Sequence, residues 1–184
     1  MCRYRSFLLI STLLLVTACS NEEASIADHS GYFLNPKELC ASLRHKKPLD
    51  NFQQNILGDG SYELEYEYNS PEDDIYVYQF ITIENNPLEI TSTYNAIKTG
   101  IKLGISSDGV ETREVVTDFC WGEESSLREY EKDGKYLGLF FITRKDNKIY
   151  SILMKGVKPD NHEVWKTALL PRLEQLESSD IAGL

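Results

Sequence analysis

The chain has 184 residues, with 29 acidic against 19 basic side chains and a formal charge of −10 at pH 7. A balance that acidic argues against nucleic acid and anionic lipid headgroups as partners, because both are gripped through Lys and Arg. A single domain of this length buries roughly 70% of the surface its unfolded chain exposes, so one well-packed core is expected.

The N-terminus reads as a secretory signal. Arg3 and Arg5 precede an apolar run from Phe7 to Val16, which ends in Val16-Thr17-Ala18-Cys19. A basic start, a short apolar stretch and small residues before a cut site are the parts such a signal needs. The run is about half of the roughly 20 residues a membrane-spanning helix requires. Val16–Cys19 resembles the lipobox of bacterial lipoproteins, a likeness confined to the first 19 residues. The resemblance implies that residues 1–18 are removed, that Cys19 is acylated on sulfur and amine, and that the lipid holds the protein in the cell envelope. Two or three acyl chains anchor stably where one is marginal. Ser20 stands where inner-membrane lipoproteins carry Asp, which points to the outer membrane facing the periplasm. Losing Arg3 and Arg5 takes the formal charge from −10 to −12. Residues 19–31 then form a lipidated, polar tether, at most about 40 Å long.

Of the four cysteines, Cys2 leaves with the signal and Cys19 takes lipid, so Cys40 and Cys120 remain. In an oxidising compartment they form either a disulfide or two buried thiols. A bridge closes a loop of about 80 residues, worth about 4 kcal/mol in the chain-entropy picture. No CxxC occurs, and His29, His45 and His162 are scattered, so neither a metal site nor a cofactor is expected.

The globular domain is placed at 32–177, with 178–184 as a frayed tail. Asn35-Pro36-Lys37-Glu38 carries helix-start grammar, with Cys40 on the helix's apolar side. Leu49–Gly60 reads as a loop from which Phe52, Ile56 and Leu57 dip into the core. Ser61–Asn69 alternates cleanly: Tyr62, Leu64, Tyr66 and Tyr68 point one way, Glu63, Glu65 and Glu67 the other, predicting a strand with one wet face. Ser70–Asp74 makes the turn into Ile75–Ile83, which is apolar on both faces and completes a hairpin. Asn86-Pro87-Leu88-Glu89 opens a predicted helix from Pro87 to Leu103, with Ile90, Tyr94, Ile97 and Ile101 on one stripe and Gly104 as the stop. Its first turns, Ile90–Thr93, are β-branched and polar, the weak part of that helix.

Four further strands are predicted at Val110–Trp121, Leu127–Lys132, Tyr136–Arg144 and Ile149–Lys155, with Tyr136–Ile142 central. Asp133-Gly134 suits a type I′ hairpin turn, and Lys145–Lys148 a second hairpin. Asp160–Glu163 caps a last helix to about Leu176, with Trp165, Leu169, Leu173 and Leu176 on one stripe and a kink or break expected at Pro171. The expected fold is thus α+β: a mostly antiparallel sheet of about six strands in the order α-ββ-α-ββββ-α, with helices packed on it. From Ser61 to Leu176, the hairpin, helix, strand meander and closing helix with Trp165 and Leu169 loosely resemble the PsbP/Mog1/DcrB-like α/β family. That likeness is architectural and carries no functional residues over.

No nucleophile motif, phosphate-binding loop or DxDxDG calcium loop is present. The histidines are read as solvated, His29 in the tether among them. The densest feature is acidic: Glu63, Glu65 and Glu67 on a strand face, joined by Glu72, Asp73 and Asp74 at the next turn. It is read either as a solvated face or as a docking surface for a basic protein. Tyr62, Tyr66, Tyr68, Tyr76, Tyr78 and Phe80 cluster on the same hairpin, as core or as a partly open tyrosine face. The functional expectation is a non-enzymatic, lipid-anchored envelope binding protein, of the inhibitor or immunity type, that docks a basic partner. The alternative is a structural or assembly lipoprotein.

Overall fold

The computed structural model describes residues 29–39, 49–106, 109–116, 119, 121–159 and 162–179. Cys19, Cys40 and Cys120 lie outside the described residues, and the expected lipidation and disulfide lie outside them too. The described chain is α+β: a short helix α1 (Pro36–Leu39), strands β1 (Leu49–Ile56), β2 (Tyr62–Ser70) and β3 (Ile75–Ile83), and helix α2 (Ile90–Ile105). Strands β4 (Glu111–Glu114), β5 (Glu124–Lys132), β6 (Lys135–Lys145) and β7 (Lys148–Lys155) and helix α3 (His162–Ser178) complete it. All seven strands join one antiparallel sheet in the order β1-β2-β3-β7-β6-β5-β4. β1–β3 and β4–β7 are two meanders of sequence neighbours, and the β3–β7 ladder joins them.

Three expectations about the strands are corrected. The predicted loop Leu49–Gly60 is largely strand β1, in register with β2 from Leu49 opposite Asn69 to Ile56 opposite Tyr62. Phe52 packs against the core from it, but Ile56 and Leu57 are 63% and 42% exposed rather than buried. The sheet therefore has seven strands, and β7, not β6, is its middle one. The long strand expected over Val110–Trp121 is only Glu111–Glu114, after which Val115 N–H still reaches the Leu127 carbonyl at 2.9 Å. The β5–β6 hairpin turns as expected, since Asp133 (φ 51°) and Gly134 (φ 71°) both take the positive φ of a type I′ turn.

The helices lie on opposite faces. On one, α3 lays Trp165, Leu169, Leu173 and Leu176 over Leu64, Ile81, Phe141 and Ile152. Burying each such side chain contributes roughly 1.5–3 kcal/mol. That stripe explains why the helix runs through Pro171 to Ser178 although Pro171 predicts a kink or break. The lost backbone bond costs about 3 kcal/mol, less than four buried anchors contribute. Arg172 ties α3 to α1 through two bonds to Glu38, at 2.6 and 2.7 Å, and Lys148 Nζ donates to the Leu176, Glu177 and Ser179 carbonyls at its C-terminal end.

The residues before α1 are clamped to this face. Gln79, fully buried on β3, accepts from Leu34 N–H at 2.7 Å and donates to Leu34 C=O at 2.8 Å, and Tyr150 Oη donates to its Oε1 at 2.7 Å. His29, expected in a solvated tether, instead stacks on Tyr32 and Phe52. On the other face α2 sets Ile90 and Tyr94 against Phe140, Ile142 and Ile149. It starts at Ile90, three residues later than predicted, because Asn86 spends its side chain on a local turn with Leu88 N–H and Glu89, and it ends at Ile105, one residue past Gly104.

Candidate functional site

Strand alternation puts Glu63, Glu65 and Glu67 on the α2 face, opposite Thr82, Phe80 and Tyr78 of β3 and Asn55, Gln53 and Asn51 of β1. Helix α2 lies over the β5–β7 half of this same face: Lys98 pairs with Glu124 on β5 at 3.7 Å, and both Lys98 and Arg144 sit over the Tyr94 ring. Among the described residues, no helix covers this face above β1–β3. What remains open is a row of carboxylates beside a row of rings, Tyr76, Tyr78 and Phe80, all half-buried.

The face is drier than alternation alone predicts. Glu63, Glu65 and Glu67 are half-buried, not fully wet. Tyr78 Oη donates to Glu65 Oε2 at 2.8 Å, and Asn55 Nδ2 lies 3.4 Å from Glu65 Oε1. Tyr78 and Phe80 stack with centroids 6.4 Å apart. Burial, and then the negative charges of Glu65 and Glu84, push the Glu63 carboxyl above its usual range. Burial raises Tyr78 too, helped by its bond to Glu65. Tyr76 is raised by burial and by the charges of Glu67 and Glu65. Among the described residues no Lys or Arg pairs with Glu63, Glu65 or Glu67. Among the described residues the row is thus negative and unpaired, in a half-desolvated setting where charge counts for more than in bulk water.

The turn acids sit apart from this row. Glu72, Asp73 and Asp74 are exposed beyond the end of β2, where Ser70 Oγ donates to Asp73 at 2.7 Å and Lys155 pairs with Asp74 at 2.6 Å. Asn69, Pro71, Asp74, Ile75, Tyr76 and Lys155 enclose a cleft of about 400 Å³ there. The predicted six-acid patch is therefore two neighbouring parts: a stripe on the sheet face and a partly neutralised turn. The tyrosines divide the same way, Tyr62 and Tyr68 lying in the core and Tyr76 and Tyr78 on the open face.

At the opposite end of the strands lies a group that the sequence does not announce. Asp59, Glu84 and Glu89 bring one carboxylate oxygen each within 4.8 Å of one another. Glu84 is only 6% exposed, and accepts from Ser61 Oγ at 3.0 Å and Thr93 Oγ1 at 2.5 Å. Asp59 accepts from Ser61 N–H, which lowers its pKa. All-oxygen donors of this kind suit a hard cation, and among the described residues this is where one could be held. The three are 5 to 30 residues apart and no motif links them, so only the meeting of the β1–β2 turn with the start of α2 reveals them. Comparisons with family models, with curated proteins and with solved structures find no match to this chain.

Proposed function

We propose that this is a non-enzymatic binding domain of the bacterial cell envelope, held at the membrane by lipid on Cys19, which docks a basic protein partner through the β2–β3 face. The observation that carries the reading is the row Glu63, Glu65 and Glu67: three carboxylates in line, half-desolvated, beside partly exposed rings, with no cation paired to them among the described residues. Such a row is costly to hold unless something positive meets it. Tyr76, Tyr78 and Phe80 add contact area at modest entropic cost, as ring-rich interfaces do. An inhibitor or immunity-type role, in which the domain covers a basic toxin or hydrolase, fits this chemistry. The lipobox likeness of Val16–Cys19 supports the location.

The test compares wild type with Glu63→Gln/Glu65→Gln/Glu67→Gln as baits in envelope extract, followed by mass spectrometry. The expected result is a basic protein retained by wild type at low salt, and lost both in the variant and in 1 M salt, where the Debye length is about 3 Å. Identical captures by both baits, with matching thermal melts, would sink the proposal.

A further inference from the structure

We infer that the open half of the α2 face is a slot for one basic amphipathic helix of the partner, laid beside α2 across β1, β2 and β3. The inference rests on the docking role proposed above and specifies what docks. Three facts carry it: α2 covers one side of the face only, the floor of the other side is divided lengthwise by chemistry, and its carboxylates lack cationic partners among the described residues.

The dimensions fit a single helix. Three strands spaced about 4.8 Å apart make a strip roughly 14 Å wide, and a helix with its side chains is about 10–12 Å across. The nine residues of β2 extend for about 30 Å at about 3.4 Å each, the length of a helix of about 20 residues. Across its width the floor changes from carboxylates on β2 to rings on β3, with half-buried Leu153 of β7 beyond them. A helix with cations on one flank and apolar residues on the other matches that division. Alternate residues on a strand are about 6.8 Å apart and helix positions i and i+4 about 6 Å apart, within the play of a lysine side chain.

An extended segment is a worse occupant of a sheet face. Its backbone N–H and C=O groups could pair only in part with the carboxylates, amides and phenols of the floor, and buried groups left unpaired are rare and costly. A helix satisfies its own backbone. Strand addition at the β1 edge would satisfy an extended chain, but would leave the carboxylate row uncovered.

The test titrates the full chain with two synthetic peptides of about 20 residues, identical in lysine, leucine and alanine content. One places lysines and leucines at helical spacing on adjacent flanks, and the other alternates them with a period of two. Isothermal calorimetry, difference circular dichroism and amide chemical shifts are read. The expected result is binding of the helical pattern about tenfold tighter than the alternating one, with a gain in helicity and shifts confined to β1–β3 and α2. Glu65→Gln/Glu67→Gln should remove most of that binding. Equal affinity for both patterns overturns the helix slot and leaves the acidic docking face standing. Affinity of the helical peptide unchanged in the variant overturns both, as does failure of both peptides to bind.

Discussion

Gln79→Leu is the most informative single substitution for the fold. It keeps the volume and removes the amide that imitates a strand partner for Leu34. Three groups are then stranded in the interior: Leu34 N–H, Leu34 C=O and the Tyr150 hydroxyl, now held by bonds of 2.7, 2.8 and 2.7 Å. A buried polar group left unpaired costs about 1–3 kcal/mol. Three at the low-to-middle of that range give about 3–5 kcal/mol, the low end holding where Leu34 N–H turns to the neighbouring Tyr150 hydroxyl. To rehydrate Leu34 the chain must peel residues 33–34 off the sheet, and Phe33 and Leu34 are both buried, each worth roughly 2 kcal/mol. The total is a large share of the roughly 5–15 kcal/mol by which domains are usually stable. At about 2–4 °C per kcal/mol for a protein of this size, the melting temperature should fall by about 6–20 °C. Urea unfolding at 25 °C measures the loss, and limited proteolysis reports release of the segment before α1. Tyr150→Phe removes one bond and leaves Leu34 held, so it should cost about 1 kcal/mol with no new cleavage. A loss below about 1 kcal/mol for Gln79→Leu, with unchanged proteolysis, would refute the clamp.

Three further perturbations have defined outcomes. Because burial and its neighbours raise the Glu63 carboxyl, the folded state holds that proton more tightly than the unfolded one. Stability should therefore fall as pH rises through the interval above the unfolded value near 4.5; Glu63→Gln should raise the melting temperature at pH 7 and show no gain at pH 3.5. A Cβ on Gly138 would strike the Met154 carbonyl and the Tyr130 ring that lies over it, so Gly138→Ala should cost about 1–3 kcal/mol by overpacking, read by the same urea curve. Cys19→Ala should abolish incorporation of alkyne palmitate in cells; undiminished label would place the lipid elsewhere.

Much of this architecture is legible in the residues. The alternation of Ser61–Asn69, the Asp133-Gly134 turn and the Trp165–Leu176 stripe each report a local rule, and each element stands where that rule puts it. β1 is illegible because Leu49–Ile56 (LDNFQQNI) has neither alternation nor strand formers in number; its ladder to β2 makes it a strand. Propensity yields to pairing in this way at sheet edges. The acid row is visible as a pattern, but its dryness is not, since that depends on β3 rings supplied 9 to 17 residues later. Gln79 gives no sign of its role, because its partners lie 45 and 71 residues away. Glu84 is hidden likewise, its bonds to Ser61 and Thr93 arising where two turns meet.

The β3–β7 ladder has a consequence for how the chain assembles. Every other strand pair in the sheet joins neighbours in sequence, whereas this one pairs residues 65 to 79 apart, from Ile83 with Lys148 to Tyr76 with Lys155. Closing so long a loop is the costliest chain-entropy step in the sheet, so the two meanders should form first and their docking should set the folding rate. The same seam divides the molecule into pieces that each keep their own hairpins. A chain cut in the segment between α2 and β4, near Gly109, leaves β1–β3 with α2 on one fragment and β4–β7 with α3 on the other. Mixed together, the fragments have one ladder to re-form, with α3 spanning it on one face and α2 on the other.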